Sequence, residues 1–235
     1  MNIGSMWNGQ QGCGAHMIDR NVLRLGGICG LLFVILFIPS YVSAPDTPST
    51  ASSIQQVLDY FISGQSQIVF LNGVLLIFAS FFFLWFLGIL HALLQHAEHD
   101  GYAFGSITLI GGLLFVTLML AGAAIEIVHP ATQTRFANFH SDAQLGFVSL
   151  ALSGWMYRFA FVGMATLIAG TSFVGLRTGI LPQWMVWVGW VCAVVALLRF
   201  FGPLGGWLTL AWIAAVSVLM LAGIIGRPLL RETPA

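Results

Sequence analysis

Apolar residues run along this chain in long unbroken blocks, such as VLLIFASFFFLWFLGIL at 74–90. Six stretches reach the roughly 20 apolar residues that a helix needs to cross about 30 Å of hydrocarbon. They are 23–42, 68–90, 107–128, 155–176, 184–201 and 207–225. The blocks do not alternate in polarity, which excludes the ten-residue strands of an outer-membrane barrel. Backbone polar groups in lipid must be satisfied within their own segment, so each block is read as a helix. The predicted fold is all-α: a polytopic membrane protein with six transmembrane helices in one bundle.

The polar stretches between the blocks predict two short interfacial helices in the external loops. In the first, Ser53 caps SIQQVLDYFIS and places Ile54, Val57, Leu58 and Phe61 on one face. The second is expected within 130–154, around Phe136, Phe139 and Leu145, ending at a Ser153-Gly154 break. The run 202–206, GPLGG, reads as a tight turn joining the last two spans into a hairpin. Pro182 suits the first turn of the fifth span, where a missing N–H costs nothing. Residues 1–16 are polar and glycine-rich without helical period, and are expected to form a disordered segment before a membrane domain at 17–235. Met17 opens a more natural start for the first span, and that span is too long for a signal-peptide core.

Composition sharpens this picture. Hydrophobic residues make up 58% and charged residues 7% of 235, against about 25% charged in a soluble domain. The net charge is zero, which removes basic nucleic-acid binders from consideration. All eight basic side chains are arginine. Without lysine there is neither a retinal Schiff base nor a Walker phosphate loop. Neither GxSxG nor HExxH occurs, so no catalytic residues are assigned and no cofactor is implied.

Arginine placement sets the orientation. Arg20, Arg24, Arg177, Arg227 and Arg231 flank span ends on one side, with Arg135, Arg158 and Arg199 toward the other. The positive-inside rule then puts both termini in the cytoplasm. The loop HALLQHAEHDGY carries no arginine and adds nothing to that bias.

Candidate chemistry lies in one charged layer. Glu126, Arg158 and Arg199 each fall two or three residues from a span end, within roughly 5 Å of the outer boundary at about 1.5 Å per residue. Intramembrane charges are costly and face protein or water. Gly122 stands one turn before Glu126, in the small run 121–124, and Gly154 one turn before Arg158. Arg199 shares a face with Ala196 and Cys192. Small residues let helices approach in lipid, so all three charges are expected to face the bundle, with Glu126 paired to Arg158 or Arg199. A structural reading makes Glu126 and one arginine an interhelical pin. A functional reading adds His129 and makes the layer a binding site for a lipid-like or anionic small ligand.

A second cluster, His91, His96 and His99, lies at the inner end of span two. His91 and His99 share a face with Gln95 and are weak candidates for a metal site, against simple capping of a loop. Cys13, Cys29 and Cys192 share no close spacing, and the latter two read as small buried hydrophobes.

The segment GLRTGILPQWMVWVGWVCAVVALL, residues 175–198, resembles the uncharacterised bacterial six-helix integral membrane proteins grouped as a domain of unknown function, frequent in actinobacteria and firmicutes. In that family an arginine commonly follows the proline, where this chain has Gln183. The resemblance implies a six-helix bundle and no established biochemical activity. The expected function is binding of a small amphipathic ligand or a partner subunit at the outer face. The partners are the lipid bilayer and a membrane partner or a second copy. The alternative is a secondary transporter or permease using the Glu126, Arg158 and Arg199 layer.

Overall fold

A computed structural model describes residues 20–42, 53–63, 65–98, 103–135, 143–198 and 204–225. Outside these lie the 1–16 segment with Cys13, and also His99, Phe136, Phe139, Arg199, the first residues of the 202–206 turn, Arg227 and Arg231. Among the described residues the chain is 93% helical, without strands.

Helix α1 spans Arg20–Val42, α2 Ile54–Ser63 and α3 Gln65–Phe70. A π-helical turn, Leu71–Leu75, joins α3 to α4, Leu76–Ala97. Then come α5, Phe104–Arg135, α6, Ala143–Thr178, α7, Gln183–Leu197, and α8, Leu204–Leu221. Five of these segments are long and apolar enough to cross a membrane. Their outward faces carry large apolar side chains such as Ile35, Phe81, Trp85, Ile110 and Val162, which a chain in water would bury. This is a membrane protein. The expected fifth span appears as α7, whose 15 residues reach about 22 Å and fall short of the hydrocarbon thickness.

The six longer helices form a closed ring in chain order. Each packs on its successor, from α1 to α4 and on to α8, and α8 packs back on α1. Neighbours run antiparallel: Ser40 at the end of α1 donates to Leu71 O before α4 at 3.0 Å. His91, late in α4, lies 2.9 Å from Gly105 O at the start of α5. Phenylalanines from α1, α4, α5 and α6 fill the middle, with Phe33 4.7 Å from Phe83, Phe83 5.4 Å from Phe115 and Phe115 6.1 Å from Phe161. Such tilted and edge-on pairs suit the ring quadrupoles.

The closest crossing is between α5 and α6, where a Cβ on Gly163 would stand 2.6 Å from Gly111 O and Phe115 N. Backbone contact of this kind replaces the hydrophobic effect as the force joining helices in lipid. Between α6 and α7, Gly179 takes φ 68° and sends its N–H to Gly175 O at 3.0 Å, a left-handed helix end that a side chain would resist.

Two expectations for the external segments meet different outcomes. Helix α2 is present where Ser53 and its hydrophobic face predict it. Among the described residues the second interfacial helix is not separate: 130–135 are the last turns of α5 and 143–154 the first turns of α6. Ser153 does not break α6, because its hydroxyl bonds back to Leu150 O at 3.1 Å instead of competing for the ladder. Gly154 lowers helix propensity by only about 1 kcal/mol, which the long contact with α5 outweighs.

Candidate functional site

At about 1.5 Å per residue, the 36 residues of α6 extend about 54 Å and the 32 of α5 about 48 Å, well beyond a hydrocarbon core. Their surplus length lies at the end where α5 finishes and α6 begins. There α2 and α3 pack against them and form a cap. The cap has its own small core: Tyr60, Phe61 and Ile68 are buried, with Phe147 and Leu150 of α6 against them. Helix α2 starts in a reciprocal capping box. Ser53 N–H donates to Gln56 Oε1 at 2.8 Å, and Gln56 N–H to Ser53 Oγ at 3.3 Å.

Glu126 sits beneath this cap on α5, 6% exposed. Both carboxylate oxygens are occupied. Tyr60 of α2 donates its hydroxyl to Oε1 at 2.8 Å, and Tyr157 of α6 donates to Oε2 at 2.9 Å. One buried anion therefore joins three helices through two charge-assisted hydrogen bonds. The Tyr157 ring fits because Gly122, one turn before Glu126, has no side chain in its place. Burial first, and then the Glu126 charge and hydrogen bond, push the Tyr60 phenol above its ordinary range, so it remains a donor. Four residues after Glu126, Pro130 stands inside α5 and brings no N–H to the Glu126 carbonyl.

The expected pairing of Glu126 with Arg158 is not found. Arg158 is exposed on the outer face of α6, with its guanidinium carbon 5.0 Å from the centre of the Trp155 ring. Among the described residues no carboxylate lies within ion-pair distance of Arg158. The inward face predicted for it fails because Gly154, the small residue that suggested close packing, faces open space. Arg199 lies outside the described residues. His129 falls in α5, three residues beyond Glu126, and its side chain is not among those described.

Of that layer, the sequence reading holds for the buried Glu126, while both tyrosines that bind it carry no mark of their own in the sequence. Tyr157 stands next to Arg158, which drew attention as the charged member. Gly122 was the available signal for it: a missing side chain one turn from a buried acid needs a large partner to fill the space. Tyr60 carries no such signal, because the aliphatic residues and Phe61 alone define the hydrophobic face of α2 in the sequence.

The π-helical turn lies beside this layer. It presents Gly73 to Ile127, the residue after Glu126, and its Leu71 carbonyl receives the Ser40 hydroxyl. Tyr41 adds a further aromatic at this end of the ring, edge-on to Trp207 at 5.2 Å.

At the opposite end, His91 and Glu98 serve a helix start. Gly105, in the first turn of α5, gives its N–H to Glu98 Oε2 at 3.0 Å and lies with its carbonyl 2.9 Å from His91 Nδ1. Glu98 thereby places negative charge at the positive end of α5. A neutral His91 must carry its proton on Nδ1 to make this contact. Among the described residues no three histidines, cysteines or acids gather as a metal site. Cys29 and Cys192 are buried thiols, as expected. Arg177, on the last turn of α6, lies over the Phe173 ring at 4.9 Å and the Phe104 ring at 5.9 Å.

No family model, curated protein or solved structure matches the chain.

Proposed function

We propose that the protein crosses a bacterial plasma membrane six times, with both termini in the cytoplasm, and binds a lipid-like amphiphile with an anionic head at its outer face, without catalysis. The six-helix ring and the likeness of residues 175–198 to the bacterial six-helix family support the topology. The arginine distribution supports the orientation.

One observation carries the binding reading: the charge of Arg158 is not consumed by Glu126, whose oxygens are taken by Tyr60 and Tyr157. Arg158 and Arg177 lie 19 residues apart on α6, about 28 Å at about 1.5 Å per residue, close to one hydrocarbon thickness. Arg158 then stands at headgroup level. Its Trp155 platform continues toward the bilayer centre through exposed Phe159 and Val162. A phosphate or carboxylate suits the guanidinium, and an acyl chain suits the stripe beneath it.

Native mass spectrometry of the protein released from nanodiscs containing anionic and zwitterionic lipids tests this. The protein should retain anionic lipid, and Arg158→Gln should reduce retention about tenfold, the scale of one hydrogen bond to a charged group. Equal retention by the variant would overturn the reading.

The permease alternative draws on the burial of Glu126, since buried acids in membrane proteins mark ion and substrate paths. Proton flux into proteoliposomes that disappears in Glu126→Gln, with lipid retention unchanged, would favour it over the binding reading.

A further inference from the structure

We propose that Glu126 is a proton-binding site whose occupancy governs the docking of α2, so that acid on the cap side of the bundle loosens the cap. The inference rests on the Glu126 geometry and on neither reading of function given above.

As a carboxylate, Glu126 is acceptor-only and can receive both phenol hydroxyls at once. When a proton adds to one oxygen, that oxygen becomes a donor. The phenol that had donated to it turns to accept, or keeps only a weak bond to a hydroxyl oxygen that accepts poorly. The remaining bond becomes neutral to neutral, about half as strong as its charge-assisted form. Two helices hold the phenols, and they are unequally anchored. Tyr157 lies within a 36-residue helix locked to α5 by backbone contact at Gly163. Tyr60 lies on a ten-residue helix whose described packing is Tyr60 and Phe61 against Ile68, Phe147 and Leu150. The weaker anchor yields first, and that is α2.

The surrounding groups leave Glu126 as the titrating member. From α2 come Tyr60, held protonated, and Asp59, exposed and 3.2 Å from Gln55 Nε2. From α6 come Tyr157 and Arg158, the latter turned onto Trp155. Helix α3 and the π-helical turn contribute no acid, base or tyrosine. On α5 the neighbour is His129, and it requires its own control.

Hydrogen exchange of the full chain in nanodiscs, corrected for intrinsic pH dependence, reads this directly. Between about pH 8 and about pH 3, protection of residues 54–63 should fall about five- to tenfold. Peptides from the α5–α6 crossing should not change. Glu126→Gln, which imitates the neutral acid, should show the low protection at every pH. Tyr60→Phe should do the same with Glu126 intact, and it decides the matter if Glu126→Gln does not fold. His129→Gln should keep the wild-type response. A cap indifferent to pH in the wild type, a wild-type response surviving in Glu126→Gln or Tyr60→Phe, or a response abolished by His129→Gln would overturn the proposal.

Discussion

The ring of Tyr157 occupies the space that a side chain on Gly122 would need: a Cβ there would stand 2.8 Å from Cε1 and 2.9 Å from Cδ1. The two residues lie on different helices, and the glycine determines whether the tyrosine can reach Glu126. Gly122→Ala should push the ring aside and lengthen its bond to Oε2. Overpacking of this kind costs about 1–3 kcal/mol, visible as a lowered melting temperature in detergent. Adding Tyr157→Phe should barely worsen that variant, because the hydroxyl has already lost its acceptor.

Double-mutant cycles separate the hydrogen-bonded cluster from an ion-pair pin. Glu126→Gln with Tyr157→Phe should show a coupling within the range of about 0.5–3 kcal/mol expected for residues in contact. Glu126→Gln with Arg158→Gln should add to within about 0.5 kcal/mol, because the guanidinium stacks on Trp155 instead. A strong coupling in the second cycle would restore the salt bridge that the sequence suggested.

The α5–α6 crossing should be the least tolerant part of the ring. At Gly163 the atoms met by a new Cβ are backbone, Gly111 O and Phe115 N, so no rotamer change relieves the clash. Gly163→Ala should therefore lower the melting temperature more than Gly154→Ala, whose Cβ would meet nothing within 4 Å. Gly154→Ala should stabilise slightly, since alanine favours helix by about 1 kcal/mol over glycine. Reversed ranking of the two variants would refute this packing.

Capping of α5 by Glu98 gives a fourth test. Glu98→Ala removes the acceptor of the Gly105 N–H and should cost about 0.5–2 kcal/mol. Glu98→Gln keeps an acceptor and loses only the interaction with the helix dipole, about 0.3–1 kcal/mol. The smaller loss should fade as salt rises, measured by thermal melting at low and high ionic strength.

The membrane class and most helix positions were legible because they depend on summed apolar length, which neighbours hardly alter. Helix α2 was legible for a local reason: Ser53 and Gln56 satisfy each other's backbone N–H groups within four residues. The continuity of α5 through Pro130 and of α6 through Ser153-Gly154 was not legible, because local breaker signals are overridden by contact between the two helices. The partners of Glu126 were hidden for a related reason. A charge suggests an opposite charge, whereas two phenols 66 and 31 residues away in sequence carry no such mark.

Closure of the ring through α1 and α8 has a consequence for biosynthesis. Every other contact around the ring joins successive long helices and can form as each hairpin enters the membrane, but α1 has to wait for α8. Until then the small-residue face of Gly27 and Gly30 on α1, which meets Ser217 and Leu221 of α8, stands open to lipid or to a passing helix. A nascent chain halted before α8 would thus expose a ready-made seam, the kind of surface by which membrane quality control can tell an unfinished protein from a finished one.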